Sequence, residues 1–412
     1  MLNNENRYLF KFAWRSIQRN AGRSFFIGFS VSLAVMIAVW VVSVFDGLNY
    51  QIEKAVVNTN VGFYQVQEPT YARSTDASKP QPYSGEVYET IHRLPIKSAS
   101  PELVLDGNIS TPEGAAGLVV LGIEPELHKK FLPIHRKMIQ GEFLTSKDLN
   151  SVVIGQELAN IFKYHVGDQI VLNYQDTNGE LRSEILIIKG IYHYNSKAFE
   201  KRYVYTNQQT WQTLFLNQYH DQILYNRISI MTDGLKSEPM FRDDIKKTGM
   251  ELKTWKQLNP EMAVVLDFHD GMIKFFFIII GLTITMTIMT PVRMLWQERY
   301  KELRMMSILG VSANKFWKIG IFEVFQMIIL SSFASSLFLI ILIGIQSHTG
   351  IDFRSLNDGV AIERAGIKLP GIIYPILSAD QIVITFTFVI FVLSVSYLWS
   401  IYRTLTRLEA EL

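Results

Sequence analysis

The chain has 412 residues, with 40 Lys and Arg against 38 Asp and Glu, no cysteine, 48% apolar residue types and 19% charged ones. The balanced charge excludes the strongly basic footprint of a nucleic-acid binder. The missing cysteines exclude a disulfide scaffold, a thiolate zinc site and a cysteine nucleophile. A mean hydropathy of +0.14 is too high for an ordinary soluble chain and too low for an all-membrane one, so the apolar residues are expected to cluster.

Residues 1–23 come first. Phe10, Ala13, Trp14 and Ile17 fall at i, i+3, i+4 and i+7, one apolar helical face, while Lys11, Arg15, Arg19 and Arg23 form a separate basic stripe. This pattern predicts a cytoplasmic amphipathic helix lying in the membrane interface, with Phe10 and Trp14 among acyl chains and Arg15 and Arg19 at anionic headgroups. A simple topology anchor reads the same residues equally well, and the two roles are compatible.

Four apolar blocks follow, predicted as transmembrane helices at 24–45, 272–293, 319–345 and 380–402. Each exceeds the roughly 20 residues that cross a hydrocarbon core of about 30 Å. Of the apolar runs inside them, 24–45, 275–292, 319–345 and 382–401, only the third carries a charge, Glu323. Basic residues concentrate before the first block, between the second and third (Arg293, Arg299, Lys301, Arg304, Lys315, Lys318), and after the fourth (Arg403, Arg407). The positive-inside rule therefore places 1–23, 294–318 and the tail 403–412 in the cytoplasm, with both termini inside. The other side holds a large domain, 46–271, and a short loop, 346–379.

The large segment reads as mixed α/β. Ser151–Ile154 is strand-like, Gln156–Lys163 helical, Gly167-Asp168 a turn into Gln169–Leu172, and Ile185–Ile191 and Tyr203–Thr206 are further strands. Glu68–Gly85 is rich in Ser, Pro and Thr and is predicted to be a loop. The expected fold is an α-helical membrane domain of four transmembrane helices plus a large mixed α/β extracytoplasmic domain between helices 1 and 2.

Chemistry is scarce. The eight histidines are scattered without metal-ligand spacing, no H-E-x-x-H occurs, and no G-x-x-x-x-G-K-[ST] exists to bind a nucleotide. A membrane-anchored enzyme therefore has no candidate active site, no catalytic, metal or cofactor residue is expected, and the chain cannot hydrolyse ATP alone. The most informative stretch follows the second block: Trp296-Gln-Glu298-Arg299-Tyr-Lys-Glu302-Leu303-Arg304-Met-Met306-Ser-Ile-Leu-Gly310, then Val-Ser312. Strong helix formers predict a short charged cytoplasmic helix, Gly310 its stop and Ser312 the cap of the next helix. Leu303, Met306 and Leu309 are apolar where a solvated loop would need none, so a partner protein is the better explanation.

Several of these segments resemble the permease subunits of MacB/FtsX-type (type VII) ABC transporters. Ala13-Trp-Arg-Ser-Ile-Gln-Arg-Asn-Ala-Gly-Arg23 is similar to the family's motif before its first span. Val152-Val-Ile-Gly-Gln-Glu-Leu-Ala159 and Val166-Gly-Asp-Gln-Ile-Val-Leu172 resemble its periplasmic-domain signature. Glu298 to Ser312 resembles its coupling motif E-R-x-x-E-I-G-x-x-x-A-L-G-A-S, departing at Arg304, where the family usually has Gly. Val120-Leu-Gly-Ile-Glu-Pro-Glu126, Gly141-Glu-Phe-Leu144 and Gly350–Gly359 lean toward the LolC/LolE lipoprotein-release branch.

The resemblance implies a bacterial inner-membrane permease, a homodimer or heterodimer of permeases bound to two copies of a separate ABC ATPase, which binds the ATP and Mg. It makes Glu298, Arg299, Glu302, Leu303, Arg304 and Met306 the ATPase-coupling residues. For the lipoprotein branch it implies a lipoprotein cargo held in an apolar cavity between the first and second spans and passed to a periplasmic carrier. The alternative it leaves open is mechanotransmission that drives an efflux channel, hydrolase or sensor without moving a substrate across the membrane.

Overall fold

The computed structural model describes residues 4–19, 21–74, 80–112, 114–176, 179–194, 196–215, 222–235, 238–353, 363–364, 367–368 and 371–410. The chain divides into two compact units: Met1–Gln51, Leu266–Asp358 and Gly371–Leu412 form the first, and Ile52–Val265 with Gly359–Pro370 the second. The second unit is thus shorter at both ends than the predicted 46–271, because the long helices do not stop where the apolar blocks do.

Five helices belong wholly or mainly to the first unit: α1 (Asn4–Arg19), α2 (Ala21–Val56), α3 (Pro260–Ile308), α4 (Ala313–Thr349) and α5 (Ala379–Ala410). Among the described residues two stretches, Ser24–Thr59 and Asn314–Thr349, are long and apolar enough to cross a membrane. The second and fourth apolar blocks lie inside α3 and α5.

Side-chain contacts fix the direction of each helix. Gly28 faces Ser331, Ser32 Oγ bonds the Ser331 carbonyl at 2.9 Å and the Ser335 hydroxyl at 3.0 Å, and Trp40 Nε1 donates to Gln346 Oε1 at 2.6 Å. Both helices ascend in step, so α2 and α4 are parallel. Asn49 Nδ2 donates to Asp270 Oδ1 at 3.1 Å, which starts α3 at the far end of α2. Arg299 meets Glu323 across the turn between α3 and α4. The Ile376 amide donates to the Ser43 carbonyl just before α5 begins, and Ile401 near its end lies against Gly320. Successive long helices therefore run in opposite directions.

Small residues permit this packing. A Cβ on Gly320 would come within 2.4 Å of Ile401 Cδ1, and one on Gly47 within 2.0 Å of the Tyr374 carbonyl oxygen. Close backbone approach through small residues, with hydroxyl groups bonding across the contact, is how helices associate where water gives no hydrophobic drive. The core is formed by Val31, Val35, Val39, Trp296, Phe316, Tyr397 and Ile401, while Leu33, Ile37, Phe333, Ile340 and Phe391 face outward.

The second unit is built on a ten-stranded sheet: β1 (Tyr64–Gln67), β2 (Ser98–Thr111), β3 (Gly114–Ile123), β4 (Met138–Gly141), β5 (Ser151–Gly155), β6 (Gln169–Gln175), β7 (Leu181–Tyr192), β8 (Tyr203–Asn207), β9 (Arg227–Met231) and β10 (Glu251–Thr254). Its order is β10-β1-β9-β2-β3-β8-β5-β7-β4, with β6 pairing β2 and β7. Pairs β3/β8 and β5/β7 are parallel, and the other pairs are antiparallel. The strands read from Ser151, Gln169, Ile185 and Tyr203 all appear, and the helix read from Gln156 runs to Phe162, with Lys163 closing it in the left-handed conformation (φ 57°). Glu68–Gly85 is not all loop: it contains a helix, Pro69–Ser74, and a two-residue strand, Gln81–Pro82, paired with Leu224–Tyr225, while 75–79 lie outside the described residues. The predicted loop 346–379 is also shorter, because α4 runs to Thr349 and Ile351–Asp352 pairs with Ile372–Ile373. Most of the Gly350–Gly359 stretch lies outside the described residues.

Gly155, inside the signature Val152–Ala159, has an ordinary φ of −79° but no room for a side chain. A Cβ there would sit 2.2 Å from the Glu200 carbonyl oxygen and 2.5 Å from its Cα. The closeness has a purpose. The buried Glu200 carboxylate accepts from the amides of Glu157 (3.2 Å) and Tyr194 (2.5 Å), holding the start of the helix that follows Gly155. Gly155→Ala must push this backbone away. It is expected to cost about 2–3 kcal/mol, read as a lowered Tm of the full chain in nanodiscs, while an unchanged Tm would mean the segment yields freely.

His128, one of the eight scattered histidines, is fully buried beneath the sheet. Its Nδ1 lies 2.9 Å from Ser100 Oγ and 3.7 Å from Glu102 Oε1, and Glu102 Oε2 in turn accepts from Arg227 Nε (2.7 Å) and Ser229 Oγ (3.2 Å). Burial, helped by the Arg227 charge and by His135, lowers the His128 pKa from 6.5 to about 3. The folded state therefore holds a neutral imidazole where the unfolded chain takes up a proton below pH 6.5. The stability this contributes is present above pH 6.5 and declines as pH falls toward 3, by about 3 kcal/mol between pH 7 and pH 4. Thermal unfolding from pH 7 to pH 4 should show a steeper loss in the wild type than in His128→Gln. Parallel profiles would remove His128 as the cause.

Candidate functional site

The amphipathic segment and the coupling segment, read separately in the sequence, meet in one place in the first unit. A cleft of about 210 Å³ is lined by Phe12, Arg15 and Arg19 from α1, by Arg299, Glu302, Leu303 and Met306 from α3, and by Phe316 from α4. Arg19 Nη2 donates to both carboxylate oxygens of Glu302, at 2.7 and 2.5 Å. Lys315 lies 3.5 Å from Glu5 and adds a second tie between α1 and the start of α4. Both pairs are half exposed, so each contributes little to stability, on the order of 0–1 kcal/mol.

Helix α1 forms as its period predicts, but its apolar face covers protein. Ala13 is fully buried, Leu9 and Ile17 pack against the first unit's core, and Phe10 meets Phe322 edge to face at 5.7 Å. The Phe10 carbonyl accepts from Gln326 Nε2 at 3.0 Å. Trp14, Arg15 and Arg19 remain exposed. An apolar stripe seeks the nearest apolar surface. Here α4 supplies it, and the rings of Tyr8, Phe12 and Trp14 are what α1 still offers outward.

The coupling segment is not a separate short helix. Residues 296–308 are the end of the 49-residue α3, since no Pro or Gly lies between Pro291 and Ile308 to stop it. Gly310 (φ 87°) makes the turn, with the Val311 amide bonding the Met306 carbonyl at 3.1 Å. Ser312 occupies the cap position of α4, yet its side chain makes no capping bond there; its carbonyl accepts from the Lys315 amide at 2.9 Å.

The faces of this segment are sorted differently from the sequence reading. Trp296, Arg299 and Leu303 point into the first unit's core, and Met306 is half-buried against it. Glu298, Lys301 and Arg304 are exposed, and so are three apolar residues at the helix end: Met305 (62%), Ile308 (70%) and Leu309 (83%). Of these three the sequence pointed only to Leu309. Helical spacing counted from Glu298 would have put Met305 and Ile308 on the same outer side.

Arg299 is committed within the fold. Its Nη1 donates to both oxygens of Glu323, at 2.7 and 2.8 Å, and its guanidinium lies 5.9 Å from the Trp296 ring centroid. Among the described residues no group of three or more acidic or histidine side chains gathers as metal ligands would.

A family model, the MacB-like periplasmic core domain, matches residues 24–248, more than half of the chain. The chain belongs to this family, the permeases of type VII ABC transporters, which are membrane-embedded, carry a periplasmic domain and work with an ABC ATPase. The periplasmic region of MacB from Actinobacillus actinomycetemcomitans is similar at 12% identity, covering 50% of this chain and 95% of that one with a TM-score of 0.33. The extracellular domain of the noncanonic ABC-type transporter YknZ from Gram-positive bacteria follows at 10% identity, 47% and 98% coverage and a TM-score of 0.32. At such TM-scores neither likeness adds to the assignment, which rests on the family model. No curated protein matches the sequence.

The Arg299–Glu323 pair makes a test of the site's framework. Arg299→Met leaves Glu323 buried without a counter-ion and should cost about 3–5 kcal/mol, whereas Arg299→Met with Glu323→Leu should recover most of it. Thermal unfolding in detergent checks both. Equal loss in the single and double variants would show that the charge pairing is not what matters there.

Proposed function

We propose that this chain is the permease of a lipoprotein-releasing machine in a bacterial inner membrane. In this reading α2, α3, α4 and α5 cross the membrane and both termini are cytoplasmic. The opposed directions of successive long helices, the outward apolar residues and the charge distribution support it. Two such permeases, identical or paired with a relative, engage two ATPase copies that carry the ATP and Mg.

The single observation that carries the coupling role is the exposed end of α3. Met305, Ile308 and Leu309 form an apolar tip, bordered by Glu298, Lys301 and Arg304. Gly310 turns the chain directly from this tip into α4. A force on the tip therefore acts on two long helices together, as rigid-body coupling requires. Arg299, Glu302 and Leu303, first read as ATPase contacts, serve instead to seat the tip on its framework; Glu302 does so through Arg19.

The cargo assignment rests on the resemblance of Val120–Glu126 and Gly141–Leu144 to the lipoprotein-release branch. Leu121, Ile123, Phe143 and Leu144 are core residues, so the fold alone also accounts for them. Energetics favour a sheltered route for such a cargo. Each acyl CH₂ is worth about 0.8 kcal/mol of burial, so three bare chains in water would cost several tens of kcal/mol. The chains must pass from bilayer to an apolar cavity and on to a carrier.

Ile308→Asp with Leu309→Asp should weaken ATPase capture by about thirtyfold or more, as loss of an interface anchor does, with Tm unchanged. Leu303→Ala should instead lower stability by about 2–5 kcal/mol, as a core truncation. Pull-down of the partner ATPase and its turnover, measured in nanodiscs, check the docking. Wild-type capture by the double Asp variant would overturn the docking tip. Release of a labelled lipoprotein to a soluble carrier upon ATP addition checks the cargo. Coupled ATP turnover without release would point to mechanotransmission.

A further inference from the structure

A second cavity, of about 500 Å³, opens between α3 and α5 in the first unit. Its size falls within the roughly 300–1,000 Å³ of small-molecule sites. Arg293 from α3 and Arg403 and Arg407 from α5 converge on it, with Tyr300, Gln297 and Trp399 completing the wall that concerns us. The Arg407 guanidinium lies 5.3 Å from the Tyr300 ring centroid, which turns it along the cavity wall. Among the described residues no Asp or Glu lines this space.

Its level in the chain is informative. Arg293 is the last residue of the second block, directly after its apolar run ends at Val292, and Arg403 comes just after the fourth, so both apolar runs end at this cavity. Trp399 is half exposed beside it, and the neighbouring Tyr402 is 52% exposed. Tryptophan and tyrosine at the limit of apolar helices mark the headgroup level of a bilayer. The Arg293 and Arg403 guanidinium groups share this space and repel one another, and an anion between them offsets that repulsion. The planar guanidinium matches a phosphate group with paired N–H donors.

We propose that this cavity binds the phosphate headgroup of an acidic phospholipid of the cytoplasmic leaflet. The proposal rests on the reading that α3 and α5 cross the membrane with their basic ends in the cytoplasm. Basic pockets between membrane helices on that side are suited to anionic headgroups. Met289 and Trp399 border the cavity on the side of the apolar runs, where acyl chains would leave it.

The test is native mass spectrometry of the full-length chain in detergent, titrated with dioleoyl-phosphatidylglycerol, dioleoyl-phosphatidylcholine or inorganic phosphate. The wild type should retain phosphatidylglycerol over phosphatidylcholine. Arg293→Gln with Arg403→Gln should lose roughly tenfold or more of that affinity, while Lys318→Gln, outside the cavity, should keep it. The pair Arg293→Lys with Arg403→Lys keeps the charge without the fork and should give an intermediate loss; it carries the test if the Gln pair unfolds. Equal retention in the wild type and both double variants would overturn the site. Complete displacement of the lipid by inorganic phosphate, with the same arginine dependence, would overturn the lipid assignment in favour of a soluble anion. Alkaline carbonate extraction of membranes keeps the underlying reading separate: an extractable chain defeats the membrane reading, whereas an inserted chain without arginine-dependent retention defeats only the headgroup site.

Discussion

The first unit is organised around one buried ion pair. Arg299 and Glu323 face each other on the two arms of a helical hairpin, both largely buried and each the other's neutralising partner. An ion taken out of water costs several kcal/mol unless its partner and geometry return that energy. This constraint fixes the relative height of α3 and α4. It also explains why Trp296 and Gly320 sit where they do: the indole edge packs over the glycine, 3.2 Å from where a Cβ would be. Arg19 and Glu302 then lie one turn farther along the same edge. The cleft beneath α1 is a consequence of that alignment.

Polar groups in the two units play contrasting parts. In the second unit Glu102 gathers Arg227, Ser229 and, through Ser100, the neighbourhood of His128 into one buried cluster that joins β2, β9 and a short helix. Asn226 clamps both the amide and the carbonyl of Val104 at 3.0 Å. Such networks specify strand register, because a slipped strand would strand several polar groups at once. In the first unit the same selectivity is carried by fewer and smaller groups, chiefly Ser32, Ser331 and Ser335.

Much of this organisation was legible from residue order. Long apolar runs located α2 and α4, the second with Glu323 as its lone charge, and β-branched runs located β5 to β8. The functional segment was legible as a helix but not as a surface. Leu303 reads as a partner contact because an isolated helix has no inside, Arg299 does so through the family resemblance, and the element that buries both, α4, is defined only by folding. Arg19 and Glu302 are 283 residues apart, beyond any local pattern. One signal was available: Glu323 as a lone carboxylate in an apolar block demands a cation at its own depth, and Arg299 lies 24 residues upstream across a glycine turn.

That turn has a consequence for biogenesis. On the proposal that α3 and α4 both cross a bilayer, the short linker 309–312 means that neither helix can be handed to it long before the other. A single charge near the centre of a membrane helix costs roughly 3 kcal/mol on insertion, and α4 would meet part of that cost if Glu323 entered unaccompanied. Arg299, delivered moments earlier on the preceding helix, is already within reach when Glu323 leaves the ribosome. The pair is thus suited to being inserted as one hairpin, already neutral, rather than as two segments that must find each other within the lipid.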